Sequence, residues 1–331
     1  MSELRKDPLT GNWVIIASER ALRPNQFMRS ETADHGNELN PFAVGNESLT
    51  PPEIMRIPNP EAPDTWLIRV IPNKYPALAV EGATGTLREG LYEHKDGLGA
   101  HEVIIESPDP TFNLEELPIA HLEKALWTYR ERMQDLSRDI RLIFSMLFRN
   151  SGPGAGATVR HGHAQLIALP VVPSQVQQRL ECARRHYEHT GANVFSQLVQ
   201  QESTDTQRIV CASESFVCIT PYASRTPFEL MIIPKDQKAR YENVEDGHLN
   251  DLARILSESL RRLKRVLGNV DYNLMIQSAP KSEEHAPWYR WHIQIVPTLT
   301  QVAGFEWGTG FHINPVSPET AAKTLKTVHL Q

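Results

Sequence analysis

The sequence has few of the features that mark a secreted, membrane-spanning or disulfide-stabilised protein. It contains only three cysteines, Cys182, Cys211 and Cys218, without a C-x-x-C pair, which excludes a disulfide framework and a cysteine zinc knuckle. No apolar run approaches the roughly 18 residues that span a bilayer. The first residues, "MSELRKDPLT", lack the apolar segment of a secretory signal. We therefore expect a cytoplasmic protein with no membrane partner.

Basic charge is also scarce. Lysine and arginine total 34 against 40 acidic residues, a net charge of −6, so the chain has no surplus with which to neutralise a nucleic acid. A few placed arginines can still hold a small phosphorylated ligand. The 331 residues and the 40% hydrophobic content suit a globular protein of two domains.

One order of predicted strands and helices occurs twice along the chain. Branched apolar runs bounded by proline or glycine predict the strands, and leucines spaced three to four residues apart predict a helix in each half. Two copies of one α+β unit are the simplest account, with chance similarity of the two patterns as the alternative. The predicted strands are 12–18, 65–72, 101–108, 141–148, 164–170, 215–221, 228–234, 272–278 and 291–297.

The boundary between the halves is expected in or just before the polar segment 196–207, after a predicted helix at about 174–186. We assign residues 1–190 to the first half and 191–331 to the second.

The stretch "RHGHAQLIALP" (160–170) places two histidines two residues apart. On a strand, His161 and His163 would point to the same face, which suits a zinc pair, a nucleophile with a helper, or two structural histidines. A zinc site needs a further ligand that nothing nearby supplies. The more distant candidates are His101, Glu102 and His292.

A glycine-rich loop precedes the histidines, and this context favours phosphate chemistry. In "FRNSGPGAGATVRHGHAQ" (148–165), the glycines can bring backbone N–H groups close to a ligand oxygen. Thr158 and Arg160 would suit the same phosphate. A neutral imidazole is a nucleophile near pH 7, so a loop of this kind feeding His-x-His-x-Gln favours attack by histidine on phosphorus.

Such an attack requires the second ring nitrogen of the nucleophile to be protonated and held by an acceptor. The backbone carbonyl of His161 could accept from His163 in this way. Gln165 can donate from its amide to a phosphate without acting as an acid. The second half keeps only His292 and Gln294 of this pattern, so we expect the chemistry in the first half.

At these residues the sequence resembles the galactose-1-phosphate uridylyltransferase family, the transferase branch of the histidine-triad superfamily. The resemblance also covers "DPLTGNWVIIASERALRPNQF", "VIPNKYPAL", "HEVIIESP" and "PYASRTPFELMIIPKD". The stretches "ALPVVP" and "GFEWGTGFHINPVSPETAA" are most similar to the branch that includes ADP-glucose phosphorylases. The resemblance to the family implies an α+β fold of two fused histidine-triad-like halves, each an antiparallel sheet with helices packed on it. The second half is degenerate.

The resemblance implies nucleotidyl transfer by double displacement through a nucleotidyl-histidine, with His163 as nucleophile and Gln165 on the phosphate. The default reaction is UDP-glucose:hexose-1-phosphate (galactose-1-phosphate) uridylyl transfer, and the alternative is phosphorolysis of ADP-glucose. A hydrolase, a zinc hydrolase and a non-catalytic nucleotide-sugar-binding relative are the other classes. The implied substrate-binding residues are Arg20, Arg23, Asn73, Lys74, Asn150, Gly156, Ala157, Thr158 and Phe305.

The departures from the family pattern predict a protein without a metal cofactor. Asn40, Ala43 and Pro110 stand where family members carry zinc ligands, which leaves His161 alone with a structural role. At the iron site of some members, Gln177, Gln277 and Gln294 replace ligands and only His292 remains. One protein ligand does not retain a metal. The "GFEWGTGF" stretch, which contains Phe305, matches the loop that the family lends across a homodimer interface, so we expect a homodimer.

Overall fold

The computed structural model describes residues 2–19 and 39–330, so the predicted site residues Arg20 and Arg23 lie outside the described residues. Ten strands form one continuous sheet, beside a three-stranded sheet and a separate hairpin. The strands are β1 (Glu3–Lys6), β2 (Trp13–Ile16), β3 (Met55–Pro58), β4 (Trp66–Pro72), β5 (Thr86–Glu89), β6 (Tyr92–Lys95), β7 (Ala100–Ile105), β8 (Phe144–Ser151), β9 (His163–Leu169), β10 (Ile209–Ala212), β11 (Phe216–Ile219), β12 (Leu230–Pro234), β13 (Tyr272–Gln277), β14 (His292–Pro297) and β15 (His312–Asn314).

The helices connect and cover these strands. They are α1 (Ile119–Leu136), α2 (Ser174–Thr190), α3 (Val194–Asp205), α4 (Asp246–Leu267), α5 (Gly304–Thr309) and α6 (Pro318–Lys326). Within the described ranges, no helix is long and apolar enough to cross a bilayer.

The large sheet contains the predicted repeat. Its strand order is β10-β11-β12-β14-β13-β8-β9-β7-β4-β3, and its strand pairs are antiparallel. Outward from the central β8–β13 pair, the two halves contribute corresponding strands, and β9 and β14 occupy equivalent positions. The predicted antiparallel α+β fold is confirmed, but the halves share a single sheet because β8 pairs directly with β13.

Two details differ from the sequence-based expectations. The sequence predicts no helix in the polar segment 196–207, but most of this segment belongs to α3. This helix forms because the Asn193 side chain caps its first turn and buried Glu202 pairs with Arg208 at 2.9 Å. The two ends of the chain also meet: β15, near the C-terminus, pairs in parallel with β2, near the N-terminus. The division at residue 190 stays a prediction.

Alternation of side chains separates a packed face of the sheet from the face that carries the candidate site. Ile104, Leu166 and Ile293 point toward α1 and α4 and join the largest apolar core. His163 and Gln165 differ from Leu166 by an odd number of residues, so they point to the opposite face.

In the second half this opposite face is covered. Side chains of α2 and α3, including Ala183 and Phe195, pack with Val217 and Ile233 into a second apolar core. His292, the counterpart of His163, is fully buried beneath them and its ring lies 5.2 Å from that of Phe195. The two equivalent histidines therefore occupy different environments.

The burial of His292 makes the stability of the fold depend on pH. Desolvation, and next the nearby charge of Arg179, lower its pKa from 6.5 to about 3. The unfolded chain therefore binds a proton between these values that the folded chain does not bind. The stability that neutral His292 contributes is complete above pH 6.5 and is lost as the pH falls toward 3.

We predict that His292→Gln makes the free energy of unfolding less dependent on pH in the acidic range. The wild type should lose about 1 kcal/mol more per pH unit than the variant below the ordinary histidine pKa. Urea titrations at several pH values measure this difference, with His94→Gln on exposed β6 as the control. Parallel curves for wild type and His292→Gln would contradict the assignment.

Candidate active site

His163 is the first residue of β9 and lies with its ring fixed in one tautomer. Its Nδ1 is 2.8 Å from the carbonyl oxygen of His161. A carbonyl only accepts, so Nδ1 carries the proton and Nε2 keeps its lone pair. The side chain is 8% exposed, and burial lowers its pKa below the ordinary 6.5, which favours the neutral ring.

His161 is held by two hydrogen bonds that together define a neutral imidazole. Its Nε2 donates to the Ser107 carbonyl oxygen at 2.6 Å, and its Nδ1 accepts from the Asn40 amide nitrogen at 3.0 Å. Burial lowers the pKa of His161. The Asn40 oxygen accepts the backbone N–H of Phe42 at 3.0 Å, and the Phe42 ring packs edge-on against His163.

The implied zinc ligands do not fit a metal. Asn40, Ala43 and Pro110 supply no thiolate or imidazole, and both nitrogens of His161 are engaged in hydrogen bonds. In the part of the chain that the structure describes, no group of three His, Cys, Asp or Glu side chains could hold a metal ion. The Asn40 side chain instead forms a hydrogen bond with His161.

The implied iron position in the second half, at Gln277, His292 and Gln294, does not fit a cation either. The α2 residue that enters it is Arg179, whereas the predicted Gln177 lies exposed on the helix. Arg179 donates to the Gln277 oxygen at 2.5 Å, and the Gln277 amide donates to Gln294 at 3.0 Å. A buried guanidinium in this cluster repels a metal ion.

A buried ion pair explains the glycine between the two histidines. Arg149 and Glu106 pair at 2.9 Å with side chains 2% exposed, on the helix side of the sheet. A Cβ on Gly162 would lie 3.0 Å from the Phe112 carbonyl oxygen and 3.2 Å from Arg149 Nη2. A side chain at this position would therefore push on the buried pair and displace the segment that carries His161. Neither member of this pair is predicted from the sequence.

Gln165 lies two residues beyond His163 on the same face. Its Oε1 is 2.9 Å from His101 Nε2, which leaves the amide N–H₂ group for a ligand. The amide nitrogen of Asn73 lies 3.1 Å from the same His101 nitrogen. Lys74, the next residue, is exposed and donates to the Leu49 carbonyl oxygen at 3.3 Å.

Asn150 is brought to this face by strand register and oriented by the second half. β8 pairs with β9 up to Phe148 opposite Gln165, so Asn150 lies two residues further along, beside His163. Asn273 donates to the Asn150 oxygen at 2.9 Å, which leaves the Asn150 amide nitrogen as a donor. A Cβ on Gly156 would lie 3.5 Å from that nitrogen.

The glycine-rich loop differs from the predicted phosphate cradle. The N–H groups of Ala155, Gly156 and Ala157 donate to carbonyl oxygens within the loop. The Gly154 N–H donates to the Asp271 carboxylate at 2.6 Å. All four amides are therefore engaged, three by carbonyl oxygens of the loop and one by a carboxylate of the second half. Thr158 follows them and is exposed.

Asp271 also requires a glycine at position 152 of this loop. Gly152 has φ +85°, and a Cβ there would lie 2.0 Å from an Asp271 carboxylate oxygen.

Phe305 lies on α5, with 46% of its surface exposed beside Trp307, which is 80% exposed. Such exposure is compatible with a ring lent to a partner chain, and that role stays a prediction.

We predict that Asn40→Ala lowers the free energy of unfolding by about 1–3 kcal/mol, because Nδ1 of His161 becomes a buried acceptor without a donor. Urea unfolding measures the loss. Asn59→Ala is the matched control, since Asn59 also accepts a backbone N–H two residues on but contacts no histidine through it. Equal stabilities of the two variants, or rescue of Asn40→Ala by added zinc, would contradict the hydrogen-bonded cross-link.

Two family models match successive parts of the chain. Residues 1–173 match the N-terminal domain of galactose-1-phosphate uridyl transferase, and residues 179–330 match its C-terminal domain. The chain is 36% identical over 340 residues to an ADP-glucose phosphorylase of Arabidopsis thaliana, covering 99% of this chain and 93% of that protein. It is 26% identical over 340 residues to a galactose-1-phosphate uridylyltransferase of Thermotoga maritima, with 100% of both covered.

Solved structures agree with these matches. A crystal structure of an ADP-glucose phosphorylase from Arabidopsis thaliana with bound ADP-glucose superposes with a TM-score of 0.86, at 34% identity and 100% coverage of both chains. A uridylyltransferase structure superposes with a TM-score of 0.76, at 25% identity, covering 98% of this chain and 97% of that one. The family models span nearly the whole sequence, and the chain therefore belongs to the galactose-1-phosphate uridylyltransferase family of nucleotidyltransferases.

Proposed function

We propose that this chain transfers a nucleoside monophosphate from a nucleotide sugar to a phosphate acceptor through His163. The observation that carries this proposal is the Nδ1 contact to the His161 carbonyl at 2.8 Å, which directs the Nε2 lone pair away from the backbone. Nε2 attacks the α-phosphorus and forms an N–P bond, and the sugar 1-phosphate departs with the electrons of the broken P–O bond. An oxygen of the acceptor phosphate then attacks phosphorus, and Nε2 leaves as a neutral nitrogen.

The surrounding side chains support this chemistry as donors. The amide nitrogens of Gln165 and Asn150 have their oxygens anchored by His101 and Asn273, so each can donate to a phosphate oxygen. The His161 carbonyl stabilises the positive charge that the ring of His163 acquires when the N–P bond forms. Thr158, and residues Arg20 and Arg23 outside the described ranges, complete the proposed contacts to the nucleotide sugar.

The donor and acceptor define two candidate reactions that use the same nucleophile. Uridylyl transfer from UDP-glucose to a hexose 1-phosphate such as galactose 1-phosphate is supported by both family models and by the Thermotoga maritima relative. Adenylyl transfer from ADP-glucose to inorganic phosphate is favoured by one observation. The relative with 36% identity is an ADP-glucose phosphorylase, against 26% for that uridylyltransferase.

The remaining features of the proposal follow from the composition and the donor set. We propose catalysis without a metal cofactor, because the residues at the zinc and iron positions form hydrogen bonds instead of a ligand set. We also propose a cytoplasmic homodimer of two fused histidine-triad-like halves, in which Phe305 serves the partner's site. The cytoplasmic assignment is supported by three cysteines that are all free.

We predict that the protein forms a covalent nucleotidyl adduct on His163. Incubation with UDP-glucose or ADP-glucose, followed by intact mass under non-acidic conditions, should show a gain of one nucleoside monophosphate that His163→Ala abolishes. His189→Ala is a matched control, since His189 also has Nδ1 on a backbone carbonyl, at 2.6 Å, but is exposed on α2.

The identity of the added group distinguishes uridylyl from adenylyl transfer. Binding of both nucleotide sugars without an adduct would overturn the proposal in favour of a non-catalytic relative. Release of free monophosphate by water, without transfer to sugar 1-phosphate or phosphate, would indicate a hydrolase.

We predict that adduct formation stays fast at mildly acidic pH. Burial lowers the pKa of His163 below 6.5, so the neutral nucleophile persists at pH values where an exposed histidine is protonated. The rate of adduct formation should fall only as the pH drops through this lowered pKa. A single-turnover pH profile measures it, and an acidic limb centred above 6.5 would contradict the prediction.

A further inference from the structure

The amide of Gln165 can serve a phosphate in only one of its two orientations. Phosphate oxygens accept hydrogen bonds, so the N–H₂ end must face the ligand and the oxygen must face away. A free glutamine at the rim of a site samples both orientations. Some group must therefore fix Gln165 if it is to act as a donor, and this inference rests on the proposed nucleotidyl transfer.

His101 supplies the required donor, and its tautomer is fixed by the backbone. The N–H of Ala77 points at His101 Nδ1 from 3.3 Å, so Nδ1 is the acceptor and the ring proton belongs on Nε2. Nε2 lies 2.9 Å from Gln165 Oε1 and donates to it. The resulting orientation turns the Gln165 N–H₂ group toward the face that carries His163.

The side chain of Asn73 does not accept the ring proton of His101. Its Oδ1 accepts the Tyr75 N–H at 2.9 Å, which leaves only its amide nitrogen near His101. The Asn73 backbone N–H donates to the His101 carbonyl oxygen at 2.8 Å. The segment 73–77 therefore holds His101 through its backbone and through its ring.

The register of the sheet explains why His101 reaches Gln165. Val103 on β7 lies opposite Gln165 on β9, and His101 lies opposite Ile167. His101 is thus the diagonal neighbour of Gln165 on the same face, a separation that a long ring spans. Half-buried His101 stands behind Gln165 as seen from His163.

We propose that His101 is a positioning residue for nucleotidyl transfer, acting on the phosphate only through the amide of Gln165. It neither contacts the reacting atoms nor exchanges a proton with them. Its loss frees the Gln165 amide to rotate, and the donor to the transferred phosphate is then lost for part of the time.

The test is a double-mutant cycle in the rate of adduct formation on His163. His101→Leu should slow single-turnover adduct formation about tenfold or more, within the range that loss of one oxyanion donor produces. Gln165→Ala should be at least as slow, and the double variant no slower than Gln165→Ala alone, because both changes remove the same donor. His101→Gln, which retains an N–H donor, should recover most of the rate and also serves if His101→Leu fails to fold.

The outcomes separate this inference from the proposed function. A further loss of rate in the double variant beyond Gln165→Ala would show that His101 acts independently of Gln165, and this would overturn the inference. An unchanged rate in His101→Leu would also overturn the inference about His101. In both of these cases an adduct on wild-type His163 would leave the proposed function intact. Absence of any adduct on the wild type would overturn both.

Discussion

The proposed chemistry depends on the hydrogen bond from His163 Nδ1 to the His161 carbonyl. This bond selects the tautomer in which Nε2 has a free lone pair, and it does so through backbone that the sheet already holds in place. The carbonyl is correctly aimed only because the ring of His161 is fixed to Ser107 and Asn40. In the proposed transfer, a small change in that segment would remove the ability of His163 to act as the nucleophile.

Hydrogen bonds occupy the positions where the resemblance implies metal ligands, in chemically different ways in the two halves. In the first half, Asn40 donates to the nitrogen of His161 that a zinc ion would otherwise need, and the ring stays neutral. In the second half, Arg179 joins Gln277 and Gln294 in a buried hydrogen-bonded chain. Single polar side chains are critical at both positions.

The two equivalent halves therefore differ: the face of the sheet that carries His163 holds the candidate site, whereas the face that carries His292 is covered by helices. α2 and α3 cover the second half on the face where the first half exposes its candidate site, and His292 becomes part of the core. The second half still contributes to the site of the first. Across the central strand pair, Asn273 orients Asn150, and Asp271 holds the glycine-rich loop. The fused halves are thus complementary, and one chain needs both to build one site.

Local patterns allowed the repeat and the main site residues to be predicted from the sequence. Alternation on β9 places His163 and Gln165 together, and the need for an acceptor at Nδ1 indicates the His161 carbonyl. The supporting residues could not be predicted, because His101 and Asn273 reach the site through strand register over long sequence separations. The contact between the Gly154 N–H and Asp271 could not be predicted either, because Asp271 lies far along the chain.

The most direct test of this account is the tautomer of His163 in the free protein. Long-range proton–nitrogen NMR correlations of nitrogen-labelled protein distinguish a protonated ring nitrogen from one with a lone pair, and His163→Gln identifies the signal. At neutral pH the account predicts a protonated Nδ1 and an unprotonated Nε2. A protonated Nε2 would contradict it, since the nitrogen facing the substrate would then have no electrons for the phosphorus.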